Sequence, residues 1–144
     1  MSQTSAEPMR VPIRKDTDLT AVRQQVRALA QRVGFGLVQQ TKLVTAASEL
    51  ARNTLLHGGG GAAHISVVHG ERGRGVSVSF VDSGPGIPDV DLALSDGYST
   101  AGGLGMGLSG SRRLVHEFDI GSGPGGGTRV TITSWTDSLP GGIR

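Results

Sequence analysis

Apolar positions recur at helical spacing in two stretches near the start of the chain. Leu19, Val22, Val26, Leu29 and Val33 fall on one side of a helix at about 100° per residue. Asp16 or Thr17 can cap its start, and Gly34 stops it. A second helix is predicted from Val38 to His57, with Leu43, Val44, Ala47, Leu50, Ala51, Thr54 and Leu55 on one face, ending in the glycine run Gly58 to Gly61. The period then changes to two. Ala63 to His69 and Gly75 to Val81 alternate as strands, and the turn residues Glu71 to Arg74 join them into a hairpin. Arg10 to Lys15 reads as an edge strand and Pro88 to Leu94 as a short helix. A Gly/Ser/Thr segment runs on to Gly103, and Gly105 to His116 reads as a further helix. Glu117 to Gly121 and Thr128 to Ser134 form a last hairpin around Gly123 to Gly127. This order predicts an α+β fold: a two-layer sandwich with a mixed, mostly antiparallel sheet and helices on one face. A single domain is expected over residues 10–135, between flexible ends at 1–9 and 136–144.

Composition narrows the picture by exclusion. At 144 residues one core suffices. Cysteine is absent, which removes thiol chemistry, cysteine zinc sites and disulfides, and fits a reducing compartment. No signal pattern opens the chain and no apolar run approaches the roughly 20 residues of a membrane span, so the expected location is cytoplasmic, without a membrane partner. A net charge of +2, with one Trp, one Tyr and three Phe scattered along the chain, offers neither a basic footprint nor a stacking platform for nucleic acid. Charge placement is more telling. Between Arg74 and Arg112 there is no Lys or Arg, while Asp82, Asp89, Asp91 and Asp96 all fall there. A phosphate held in that interval must rely on backbone N–H groups, a helix terminus and a metal ion.

Three segments carry candidate chemistry. In ELARNTLLHG, from Glu49 to Gly58, single helical turns separate Glu49, Asn53 and His57, so all three can face one cleft. The Asn53 amide oxygen suits Mg²⁺, which takes few protein ligands, and Glu49 could accept a proton from an attacking hydroxyl. Alone, the same residues read as the solvated face of an amphipathic helix, and His57 reads as a helix-end residue. In DSGPGI, from Asp82 to Ile87, a carboxylate ends a strand where it can accept from an exocyclic amine such as that of adenine, and Gly84 and Gly86 let a flat base approach. A plain turn would have the same composition. In GGLGMGL, from Gly102 to Leu108, a phosphate could lie over the amides of Gly103 to Gly107 at the start of a helix. No Gly-Lys-Ser/Thr follows, against a Walker loop, and the glycines come too late in the chain for a dinucleotide fold.

Taken together, the three segments resemble the N, G1 and G2 boxes of the GHKL ATPase and kinase superfamily, and GTRVTI, from Gly127 to Ile132, resembles the strand that follows them. The resemblance implies the Bergerat ATP-binding fold. By it Asn53 chelates Mg²⁺, Glu49 is the general base and Asp82 binds the adenine amino group. Gly84, Gly86, Gly103, Leu104, Gly105, Met106 and Gly107 shape the ATP pocket, and Thr128 joins the adenine end. Pro88 to Gly102 would be the ATP lid. Within these 144 residues neither the phosphoacceptor helix of histidine kinases nor the transducer domains of gyrase, MutL and heat-shock relatives is expected. Its spelling, including DGYSTAGGLGMGLSG and RRLVHEFDI, is most similar to the RsbT-like switch kinases. That subgroup implies phosphorylation of a STAS-domain scaffold or antagonist of the RsbS or RsbR kind in a stressosome, followed by activation of a PP2C-type phosphatase like RsbU. The rival within the superfamily is an RsbW-like or SpoIIAB-like anti-sigma factor kinase. A non-catalytic, ATP-dependent binding module is the rival from another class.

Overall fold

A computed structural model of the chain describes residues 3–4, 8–87, 90–95, 107–122 and 126–136. In order these form β1 (Gln3–Thr4), β2 (Met9–Ile13), α1 (Asp16–Val33), α2 (Leu37–Leu56), β3 (Gly61–Gly70), β4 (Gly73–Asp82), α3 (Val90–Ala93), α4 (Gly107–Arg113), β5 (Glu117–Ser122) and β6 (Thr128–Trp135). The sheet runs β1-β3-β4-β6-β5, with β2 also on β3. β2 takes Gly61 to Ile65 and β1 takes Val68 and His69, so two short strands share one edge. All described pairings are antiparallel, in keeping with the mostly antiparallel sheet expected, and no parallel pair is present among the described residues. Gln3–Thr4, within the end expected to be flexible, is one of these paired strands.

Strand alternation decides which face is covered. Ala63 lies opposite Phe80 and Ile65 opposite Val78; Phe80 in turn lies opposite Val130, and Val78 opposite Ile132. All are buried, and they meet Val22, Val26, Leu29 and Val33 of α1 and Leu43, Val44, Ala47, Leu50 and Ala51 of α2 in one core. Each such Val, Leu or Ile is worth about 1.5–3 kcal/mol relative to leaving it in water. The other face is polar. There the Ser79 and Thr131 hydroxyls lie 2.8 Å apart, and Thr133 donates to Ser77 at 3.2 Å.

The ends of the helices differ from expectation in informative ways. Lys15, not Asp16 or Thr17, is the N-cap of α1. The Asp18 carboxylate, at the third helical position, reaches back to accept the N–H groups of Arg14 (2.8 Å) and of the N-cap residue Lys15 (3.1 Å), the reach-back half of a capping box. Gly34 then ends the helix at φ 97, in the left-handed region that glycine enters without strain. At the other end of the pair, α2 closes with His57 and Gly58 both donating N–H to the Asn53 carbonyl, at 2.8 and 3.2 Å. The β3–β4 turn is tighter than predicted: Gly70 already pairs with Gly73, leaving Glu71 and Arg72 as the loop. Among the described residues no helix is long and apolar enough to cross a membrane.

Candidate nucleotide and phosphotransfer site

The C-terminal turn of α2 and the end of β4 are pressed together, and glycines make this possible. A Cβ on Gly58 would overlap the Asp82 carboxylate. One on Gly84 would come within 2.8 Å of the Gly58 carbonyl oxygen and 2.9 Å of its Cα. Gly127, at φ 77, packs so closely that a Cβ would strike the Asp82 carbonyl. The chain thus brings ELARNTLLHG, DSGPGI and the start of GTRVTI to one place, because at each crossing the residue without a side chain lets two backbones approach.

Asp82 is half-buried at the end of β4, and one of its oxygens, Oδ1, accepts the Gly84 N–H at 2.9 Å. This local turn orients the carboxylate and leaves Oδ2 without a hydrogen bond from any described residue. Gly86 takes φ 80, as a sharp turn after the aspartate requires. Thr128 opens β6 directly opposite Asp82. Its hydroxyl lies 3.1 Å from Ser122 Oγ, which donates to the Gly127 carbonyl (3.0 Å) and accepts the Ile87 N–H (2.6 Å). Ser122 therefore ties the loop after Asp82 to the β5–β6 hairpin. Sequence reasoning missed it, since a lone serine at a strand end, 35 residues from its partner, leaves no local signal.

Glu49 and Asn53 follow each other by one turn on α2, as expected, but their surroundings differ. Glu49 is only 8% exposed, so the reading of a solvated polar face does not describe it. Ala46, beside it, is fully buried and widens the apolar stripe beyond the predicted set. No described residue hydrogen bonds the Glu49 carboxylate or the Asn53 side-chain amide, and the Glu49 oxygens are not sealed from solvent, so water or a ligand can complete them. Glu49 also lines an open groove of about 390 Å³ between α1 and α2, with Arg23, Ser48 and Arg52, from which Asn53 and Asp82 are absent. Glu49 thus borders open solvent on the α1 side of the helix. His57 is exposed and serves as the C-cap.

Gly107 opens α4 at φ 72 and is buried. Gly103, Leu104, Gly105 and Met106 lie outside the described residues, as does most of the expected lid apart from Ile87-proximal α3 and the two residues after it. Among the described residues no group of three or more His, Asp or Glu could hold a metal by itself. A cation beside Asn53 would have to draw most of its ligands from phosphate and water, as Mg²⁺ commonly does.

A family model described as histidine kinase-, DNA gyrase B-, and HSP90-like ATPase matches residues 38–137, which span α2, the aspartate turn and the last hairpin, and the chain belongs to this GHKL family. The serine/threonine-protein kinase RsbT of Bacillus subtilis (strain 168) is 43% identical over 125 residues, covering 87% of this chain and 94% of that one. At that level the chain stands with the RsbT-like serine/threonine kinases of the family. The anti-sigma F factor of Thermoanaerobacter sp. (strain X514) is 26% identical over 128 residues, or 86% of this chain and 90% of the relative. A crystal structure of the RsbU and RsbW domains of a Mycobacterium tuberculosis protein superposes with a TM-score of 0.62 at 23% identity. It covers 90% of this chain, which spans 32% of that one, and the likeness is one of fold.

Proposed function

We propose that this kinase uses ATP and Mg²⁺ to phosphorylate a serine or threonine on a STAS-domain protein of the RsbS or RsbR kind, and that on release it binds and activates a PP2C-type phosphatase. The observation that supports the chemistry is the largely buried Glu49, its carboxylate unbonded among the described residues, one turn before Asn53 on a helix whose end packs against Asp82.

Each residue has a distinct task in this reading. Asp82 Oδ2 accepts the adenine amine, while Gly84 and Gly86 keep the approach clear and Thr128, steadied by Ser122, borders the same end. The amides of Gly103 to Gly107 take the phosphates in a stretch without lysine or arginine. Asn53 would hold the metal through its amide oxygen. Bound with ATP, Mg²⁺ would neutralise charge on the phosphates. Glu49 takes the proton of the attacking hydroxyl as its oxygen bonds to the γ-phosphorus and the bond to ADP breaks. The 43% identity to a serine/threonine kinase favours this over the anti-sigma reading, whose representative is 26% identical.

The test is incubation with labelled ATP, Mg²⁺ and purified STAS-domain proteins. Label should pass to a STAS serine or threonine, and Asn53→Ala should abolish the Mg²⁺-dependent part of ATP binding while leaving the fold intact. Transfer at the normal rate by Asn53→Ala would refute its role. Stable capture of a sigma factor in place of the STAS protein and phosphatase would favour the anti-sigma alternative.

A further inference from the structure

The β5–β6 ladder stops short of the end of β6, and a side chain completes it. Glu117, the first residue of β5, pairs with Thr133, and the His116 N–H still reaches the Thr133 carbonyl at 3.1 Å. Trp135 lies two residues further along β6, beyond the start of its neighbour, and its backbone N–H donates instead to His116 Nδ1 at 2.8 Å. An imidazole nitrogen thus stands where the next strand carbonyl would stand.

Trp135 is held from its other sides as well. Gln39 of α2 donates to its carbonyl, and its indole Nε1–H donates to Glu117 Oε2 at 2.6 Å. The residue is 3% exposed, and Gly75 of β4 packs so near the indole that a Cβ there would come within 2.8 Å of it. Of the groups that hold Trp135, the imidazole is the one whose ordinary titration falls near neutral pH. Nδ1 accepts only while it carries no hydrogen, so the bonded ring is neutral with its proton on Nε2. His116 is half-buried, within reach of solvent protons.

We propose that His116 and Trp135 form a pH-sensitive clasp, closed while the imidazole is neutral and opened when it takes up a proton. In the imidazolium both ring nitrogens are donors, so the Trp135 N–H then faces another N–H in place of an acceptor. The bonded form is the unprotonated one, and the clasp is therefore present above the pH at which His116 titrates and lost below it. Among the described residues the charged groups around the ring are Lys42 of α2 and Arg113 of α4, which line with it a groove of about 480 Å³ at the start of α2, and Glu117, the next residue in β5. Their balance sets the pH at which the ring takes up its proton, but a proton at Nδ1 removes the acceptor at whatever pH it arrives. Gln39 stands near the start of α2 and Asn53 near its end, so the clasp is separate from the phosphotransfer site and does not rest on the kinase mechanism.

Amide hydrogen exchange of the full chain, followed by NMR from about pH 8 to about pH 5 and corrected for its intrinsic pH dependence, tests the clasp. The Trp135 N–H should lose protection by roughly two- to tenfold, the weight of one net hydrogen bond, at the pH where the His116 ring signals titrate. The amides of Val76 and Val78, inside β4, should keep theirs. His116→Asn sets an oxygen that accepts but does not titrate in the place of Nδ1, and should keep Trp135 protected throughout. Glu117→Gln should leave the response of the amide in place, since that carboxylate holds the indole. A His116 ring that stays neutral down to about pH 5, or Trp135 protection that is unchanged as the ring titrates, would overturn the proposal. So would a response that survives in His116→Asn, that vanishes in Glu117→Gln, or that Val76 and Val78 share.

Discussion

One oxygen of Asp82 is held by the Gly84 N–H and the other has no described partner, and in the proposed site that second oxygen is the acceptor for a single base amine. Asp82→Asn keeps an acceptor for Gly84 but turns a donor toward the amine. Loss of that charged hydrogen bond, worth about 1.5–3 kcal/mol, should weaken ATP binding by roughly ten- to a hundredfold in calorimetry. Unchanged affinity in a folded variant would remove Asp82 from the base site. Ser122→Ala strips the acceptor from the Ile87 N–H and the link to Thr128. We expect faster hydrogen exchange at Ile87 and a destabilisation of about 1 kcal/mol, with weaker ATP binding; exchange like the parent's would mean that the hydroxyl is not the tie. The two residues also mark how far the sequence could be read. Asp82 stands in a local motif of aspartate and glycines, whereas Ser122 acts across the fold. Glu49 lies between: its spacing from Asn53 is visible in the letters, but its burial reflects neighbours brought in by the fold, α1 among them, which a wheel of one helix does not contain.

Among the elements, periodicity gave the helices and strands to within a few residues, and it missed how a helix end is capped when the capping carboxylate lies inside the first turn. The start of α1 is the clearest case. Asp18 is partly exposed, and its pKa is lowered by the backbone N–H of Arg14 first of all, with that of Lys15 and the nearby positive charges adding to it. A carboxylate whose folded pKa lies below its ordinary value, here 3.8, stabilises the fold above that value and loses its contribution as pH falls through the lowered one. Asp18→Asn should therefore melt at a lower temperature than the parent at pH 7. The gap should close below about pH 4 as the parent's own carboxyl protonates. A gap that persists unchanged into strong acid would show that shape, and not charge, makes Asp18 a cap. The antiparallel completion of the sheet is another matter of context: alternation identifies strands but does not order them, and the β4–β6 pairing joins segments separated by the lid and α4.

At the scale of the whole molecule, a single sheet carries nearly all of the proposed function on one end. The β4–β6 register sets Asp82 opposite Thr128, and α2 crosses the covered face with Glu49 and Asn53 in its later half. Its opening turn forms the groove at the far end. The central claim is that Glu49 acts on the attacking hydroxyl and not on bound ATP. It is tested most directly by measuring, on Glu49→Ala, both ATP affinity and the rate of phosphate transfer to the STAS protein. Affinity should stay within about twofold of the parent while transfer falls by the 10²–10⁴-fold typical of a lost general base. Transfer at the parent rate, or a loss accounted for by weakened ATP binding alone, would contradict it.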